Sequence, residues 1–200
     1  MEIEIKLGPL APEQARAAYE DTALLPPAGA EERIPMKTVY YDTPAGDFAA
    51  RKLTLRLRQE GGARVCTFKA PVSGLCRQEL ECPAGSIEEG AAALRERADL
   101  PPECRPLLAG PFVPVCGAEF VRTTRLCRAG EVTFHLCRDE GWLENGSRRV
   151  PLCELELELV SGPQKALEGL AEALSARYAL PRCTRSKQAR ALALGQEDER

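Results

Sequence analysis

Met1-Glu2-Ile3-Glu4-Ile5-Lys6-Leu7 alternates without a break. Glu2, Glu4 and Lys6 fall on one face of an extended chain, and Ile3, Ile5 and Leu7 on the other, because successive strand side chains point to opposite sides. The habit recurs. Thr54, Arg56 and Arg58 alternate with Leu53, Leu55 and Leu57, and Thr67 and Lys69 with Cys66 and Phe68. Arg77, Glu79 and Glu81 alternate with Cys76, Leu80 and Cys82, and Glu154, Glu156 and Glu158 with Leu155, Leu157 and Leu159. Five strands each carry one ionic and one apolar face. They suit an open sheet with a wet side, or a closed barrel with its charges inside.

The bulk composition narrows the classes. Two hundred residues suffice for one domain with a real core. A net charge of −3, from nearly balanced acids and bases, directs the chain neither to nucleic acid nor to a membrane surface. No apolar run reaches the length of a membrane span. The acidic N-terminus enters a strand at once and does not read as a secretory signal. Nine cysteines with no CxxC pair and one histidine argue against zinc. They read as reduced, mostly buried thiols of a cytoplasmic protein.

In chain order, a helix is expected from Pro12 to about Leu24, a loop over Ala28–Pro35, and a strand over Lys37–Asp42. Residues 48–51 are ambiguous. Strands at 53–59, 64–70 and 77–82 are joined by turns at Glu60-Gly61-Gly62 and Pro71–Gly74. Ser86, with Glu89 three residues on, forms a capping box for a helix to Ala98. Residues 107–114 read as irregular. Glu119–Arg128 and Glu131–Asp139 form a hairpin, Trp142–Val150 contains an Asn145-Gly146 turn, and Leu152–Val160 is the most acidic strand. A helix from Gly162 to Tyr178 and a short one over Ser186–Leu194 complete the pattern. Residues 1–194 are expected to form one domain and 195–200 a disordered tail. The class is α+β: an eight-stranded antiparallel closed barrel with helices packed outside, eight being about the number that can enclose a small ligand.

A closed barrel would enclose the acids Glu2, Glu4, Glu79, Glu81, Asp139, Glu154 and Glu156, and the bases Lys6, Arg56, Arg58, Lys69, Arg77 and Arg122. Unpaired buried charges cost several kcal/mol each, so such an interior is wet, internally paired, or filled by a ligand with both charge requirements. Guanidinium and ammonium groups suit a polyphosphate. Clustered carboxylates suit Mg²⁺ or Mn²⁺. A metal–polyphosphate meets both sets together.

Eight motifs then coincide: Glu2-x-Glu4-x-Lys6, Tyr41-Asp42-Thr43, Leu55-Arg56-Leu57-Arg58, Thr67-Phe68-Lys69, Arg77-x-Glu79, Asp139-x-Gly141, Glu154-Leu155-Glu156-Leu157-Glu158 and Ser186-Lys187. In this order they resemble the CYTH superfamily, the triphosphate tunnel metalloenzymes. Pro151–Glu158, then Ser161-Gly162 and Ser186-Lys187-x-x-Arg190, is most similar to the bacterial inorganic triphosphatase branch. The helical phosphate-binding domain often fused to that branch is not expected within these residues. The resemblance implies hydrolysis of a terminal phosphoanhydride. It implies Glu2, Glu4, Glu154 and Glu156 as metal ligands, assisted by Glu79 and Asp139. Lys6, Arg56, Arg58, Lys69, Arg77, Arg122 and Lys187 would hold the triphosphate, and Glu4, Glu156, Lys69 and Lys6 would be catalytic. Where the family often has two bases two apart on the sixth strand, this chain has Arg122 and Thr124, with Arg125 facing outward on a regular strand. Glu81 and Glu158 are placed at a tunnel mouth, and His135 is a wall residue.

The partner is a small-molecule triphosphate, without nucleic acid or membrane, and the protein a monomer or homodimer. Rival readings are a class IV-type adenylate cyclase, a thiamine triphosphatase and a non-catalytic polyphosphate- or nucleotide-binding module. The cyclase wants a His-Phe pair before the first strand, which is lacking. The thiamine enzyme wants an apolar clamp, for which Trp142 is thin support. The binding module could lose the acids, and both acid sets are present.

Overall fold

The computed structural model describes residues 2–195, so the expected tail lies almost wholly outside the described residues. Eight strands make the barrel: β1 (Glu2–Leu7), β2 (Glu32–Asp42), β3 (Thr54–Glu60), β4 (Ala63–Ser73), β5 (Cys76–Pro83), β6 (Val113–Ala129), β7 (Val132–Asn145) and β8 (Arg148–Ser161). Their order is β5-β4-β3-β2-β6-β7-β8-β1, every pairing is antiparallel, and β1 returns to β5. The seam is short. One edge of β1 meets β5 at Glu2↔Arg77 and Ile3↔Cys76, then a two-residue strand β9 (Arg182–Cys183) at Lys6 and Leu7. The other edge carries β8 from Glu4↔Glu158 to Leu7↔Leu155.

Helices α1 (Pro12–Tyr19) and α4 (Gln164–Tyr178) cover the outward faces of β1, β7 and β8, with Ile5, Leu7, Phe134, Leu136, Leu155 and Leu157 buried beneath them and Leu174 of α4 buried against them. Helices α2 (Asp47–Ala50) and α3 (Ile87–Arg95) cover β3, β4 and β5 over Leu55, Phe68 and Leu80. Each fully buried leucine or phenylalanine stabilises the fold by about 1.5–3 kcal/mol. Helix α5 (Lys187–Gly195) behaves differently. Its Ala191 packs with Met36, Tyr40, Ala118, Phe120, Leu143 and Leu152, which share the inward faces of their strands with the charged residues. It therefore lies across one end of the barrel rather than on its outside.

Several boundaries differ from expectation for local reasons. Helix α1 stops at Tyr19 because the Asp21 carboxylate accepts from the backbone N–H groups of Ala23 and Leu24, both at 3.1 Å, turning the chain out of the helix. Helix α3 ends at Arg95, short of Ala98. The expected loop at 28–35 is partly strand: β2 begins at Glu32 and runs through Pro35. Proline is tolerated there because Pro35 pairs only with Val121 of β6, and β3 joins β2 one residue later. Trp142 belongs to β7, and Gly146, at φ 58°, turns that strand into β8. The capping box forms with one change: Ser86 accepts from Glu89 N–H, while the Glu89 carboxylate accepts from Gly85 N–H. Asp42 accepts from Thr43, Phe48 and Ala49 N–H groups and so fixes the start of α2.

Gly90 lets α3 lie directly on β4. A Cβ at this position would fall inside the van der Waals radii of Cys66 Cβ and Sγ. The helix propensity gained by alanine, about 1 kcal/mol, is outweighed by overpacking of about 1–3 kcal/mol on a side chain with no room to move. Gly90→Ala is expected to lower the urea midpoint at unchanged m-value; a raised midpoint would show that α3 rides loosely on the sheet.

Candidate active site

The barrel encloses a cavity of about 220 Å³. Its wall carries seven bases, Lys6, Arg56, Arg58, Lys69, Arg77, Arg122 and Lys187, and seven acids, Glu2, Glu4, Glu60, Glu79, Glu81, Glu156 and Glu158. Tyr40, Thr54, Ser186 and Gln188 complete it. The alternation that opens the chain thus turns inward, and strand pairing brings side chains more than a hundred residues apart into contact.

The charges are paired unevenly. Lys69 Nζ donates to both oxygens of Glu2, at 2.7 and 2.6 Å, and lies 3.0 Å from Glu79. Lys6 donates to Glu4. Arg56 reaches Glu79 at only 3.4 Å and Glu81 at 3.8 Å, and its Nε has no partner. Arg58 donates through Nε to Thr38 at 3.0 Å and lies 3.4 Å from Glu60, with Phe120 beneath its guanidinium. Burial, then the neighbouring Arg56 charge, pulls the Arg58 pKa down. These two arginines keep donors to spare.

Beside them the site is saturated. Lys187, at the first position of α5, is buried among three carboxylates. Its Nζ lies 2.7 Å from Asp139 Oδ2 and 2.8 Å from Glu156 Oε1, and within ion-pair distance of Glu154 Oε1 without meeting hydrogen-bond geometry. Arg122 donates to both oxygens of Asp139, to Glu156, and at 2.8 Å to Glu158. Arg190 donates to Glu154. Burial alone would raise the Glu156 pKa, but Lys187, Arg122 and Lys6 more than reverse it and hold the carboxyl well below the usual range. Asp139 is likewise lowered against its burial by Arg122 and Lys187. Glu154 and Glu158 remain raised, chiefly by burial and then by their acidic neighbours, although Lys187 and Arg122 respectively oppose the shift. Burial lowers the Lys187 ammonium's pKa, but the three carboxylates lift it well above its ordinary value.

Two carboxylate trios have oxygens within 4.8 Å of one another: Asp139, Glu154 and Glu156, and Glu4, Glu156 and Glu158. The ammonium of Lys187 already fills the first. The second faces the cavity, and its hard oxygen donors suit a hard divalent cation. Of the expected metal set, Glu4 and Glu156 meet here, while Glu2 and Glu79 hold Lys69. Asp139 and Glu154 do not line the cavity and instead sit behind Lys187. Glu158 joins the trio, and Glu81 also lines the cavity. Arg125 points outward, donating to the Tyr19 carbonyl at 2.6 Å and stacking on its ring. His135 is exposed and is not among the lining residues. Tyr40, Glu60 and Gln188 were missed by the sequence reading. Tyr40 and Glu60 share the parity of Thr38 and Arg58 on their strands, a signal that was available; Gln188, on α5, had none.

The closed antiparallel barrel with this ionic interior is a charged tunnel. The chain belongs to the CYTH domain family, which matches residues 1–192. It is 30% identical over 160 residues to the inorganic triphosphatase of Haemophilus influenzae, covering 78% of this chain and 45% of that protein. The chain thus spans less than half the length of this curated relative. Among solved structures the fold resembles HpAC1 from Hippeastrum, described as revealing a dominant triphosphatase activity (TM-score 0.66, 20% identity, 98% of this chain and 96% of that one). It also resembles PH1819 from Pyrococcus horikoshii (TM-score 0.58, 20% identity, 96% and 99%).

The Lys187 cage has a pH signature. Asp139 and Glu156 sit below ordinary carboxylate values, so their contribution to stability is complete above about pH 4 and is lost as pH falls through their folded pKa values. Lys187→Met leaves three buried carboxylates without their ammonium and is expected to cost about 3–5 kcal/mol at pH 7.5. With the cation gone, Arg122 and Arg190 remain but the carboxyl pKa values rise, and protonation relieves part of the loss as pH falls. Urea unfolding of the variant and the parent is expected to show a smaller deficit at pH 5 than at pH 7.5. An equal deficit at both would mean that Lys187 acts by packing alone.

Proposed function

We propose that this CYTH protein hydrolyses the terminal phosphoanhydride of inorganic triphosphate in the tunnel, with Mg²⁺ or Mn²⁺. The observation that carries this reading is the enclosed cavity in which seven bases face seven acids, with Arg56 and Arg58 under-bonded and one carboxylate trio on the same wall. The name of the Haemophilus influenzae relative agrees with it. The nine free cysteines, six of them buried, fit a reducing, cytoplasmic setting.

Phosphoryl transfer needs positioning and charge neutralisation rather than a covalent nucleophile. In this reading Arg56 and Arg58 take the triphosphate oxygens in forked contacts, for which the spare donors are suited. Lys69, steadied by Glu2 and Glu79, and Lys6, steadied by Glu4, face the charge that grows on the departing diphosphate. Arg122 and Lys187 keep Glu156 ionised and in place. Glu4, Glu156 and Glu158 would hold the divalent ion, which would polarise the phosphoryl oxygens and offset their charge. Water attacks the terminal phosphorus, the bridging P–O bond breaks, and phosphate and diphosphate leave with the proton released to the wet cavity.

Phosphate release should be measured with tripolyphosphate, ATP and thiamine triphosphate, each with Mg²⁺ and with Mn²⁺. Tripolyphosphate is expected to be turned over fastest, and release from none of the three would overturn the reading. Glu156→Gln is expected to lower kcat by at least about 100-fold, in line with the loss of one preorganised charge, with the circular dichroism spectrum retained. Arg56→Ala is expected to raise KM by about 10- to 100-fold, the equivalent of a charge-assisted hydrogen bond of about 1.5–3 kcal/mol. An unchanged KM removes Arg56 from the site.

A further inference from the structure

A second cavity, of about 420 Å³, adjoins the first. Thr54, Arg77, Ser186 and Gln188 line both. The two differ in charge. The tunnel balances acids against bases, whereas the second chamber gathers Lys52, Arg77 and Arg185, with no acid among its described lining residues. None of the three cations has a carboxylate within ion-pair distance among the described residues. Arg77 donates only to the Lys52 carbonyl, at 3.0 Å, and Arg185 to the Ala189 carbonyl, at 2.8 Å. Lys52 and Arg185 are exposed and Arg77 is half-buried, so the hollow presents an unbalanced positive surface that would attract an anion.

Two buried donors at the junction are also unmet. Gln188 is 5% exposed; its Oε1 accepts from Thr54 Oγ1 at 2.6 Å, yet its Nε2 has no partner. Arg77 Nε has none either. A buried amide N–H or guanidinium N–H without an acceptor is costly, and a ligand oxygen would satisfy it. The backbone points the same way. Lys52 has φ 57°, a left-handed conformation that favours glycine, and sits where α2 hands over to β3. The chain bears that conformation with a lysine, and the lysine's carbonyl is what orients Arg77 between the chambers.

We propose that this chamber binds the distal phosphates of a linear inorganic polyphosphate longer than three units, whose leading phosphates occupy the tunnel. The inference rests on the tunnel being a triphosphate site. Lys52 and Arg185 supply charge, Gln188 donates to the chain where it crosses between the chambers, and Arg77 serves both.

The test is affinity without turnover. Isothermal titration calorimetry in excess EDTA compares tripolyphosphate, tetrapolyphosphate and ATP on the parent chain and on Lys52→Asn/Arg185→Gln. Asparagine accepts the left-handed backbone, so charge is removed without disturbing the turn. The parent is expected to bind tetrapolyphosphate at least tenfold more tightly than tripolyphosphate. The double variant is expected to lose about tenfold for tetrapolyphosphate and less than twofold for tripolyphosphate. Equal affinities in the parent, or equal losses in the variant, overturn the proposal. A loss confined to ATP also overturns it, by giving the chamber to the organic end of a nucleotide. Phosphate release with Mg²⁺ is run alongside: if no substrate is cleaved, the hydrolytic reading fails, while the affinity contrast still decides the chamber.

Discussion

An enclosed ionic interior has to be nearly neutral. Fourteen charged side chains around a cavity of about 220 Å³ could not stay charged if one sign dominated. That constraint organises the barrel. Bases on the inner faces meet acids on the adjoining strand or one strand further round, as in Lys69 of β4 against Glu79 of β5 and Glu2 of β1, and Arg122 of β6 against Asp139 of β7 and Glu156 of β8. The outer apolar faces follow from the same alternation and provide the surface on which α1, α3 and α4 pack.

Neutrality is not achieved evenly, and the unevenness is where chemistry becomes possible. Lys187 and Arg122 each contact three carboxylates. Arg56 and Arg58 are buried with contacts too long or too few to occupy them. The saturated half fixes where Glu156 sits and keeps it ionised, and the unsaturated half keeps the donors that the proposed triphosphate would use. The same contrast separates the tunnel from the chamber beside it, where Lys52, Arg77 and Arg185 meet no acid among the described residues.

Much of this was legible in the sequence because a strand's period of two is strict. Once Glu2 and Glu4 are assigned inward, Lys6 follows, and the same holds for Arg56 with Arg58 and for Glu154 with Glu156. What alternation cannot supply is which strand lies opposite which. The partners of Lys187 on β7 and β8 could not be read, nor could the division of six expected ligands into Lys69 holders, Lys187 holders and an open trio that includes Glu158. The inner face of β6 was also hidden, because Ala118 and Phe120 break its ionic habit, and their reason is α5. A short amphipathic helix reads as outside packing; only the barrel's open end shows that its apolar stripe is used within. Gln188 shares that helix and was missed for the same cause.

The seam at β1 has a consequence for how the molecule is made. Glu4 pairs with Glu158 and Leu7 with Leu155, so the first strand finds its neighbour about 150 residues later. Contacts of such sequence separation form late and slowly, after the entropy of closing a long loop has been met. Strands β2 to β5 and β6 to β8 are meanders that can assemble locally as they leave the ribosome. Glu4, Glu156 and Glu158 meet only when β1 slots in beside β8. A chain that ends before residue 158 holds every basic residue of the tunnel except Lys187, yet lacks Glu158 and with it the carboxylate trio that faces the cavity.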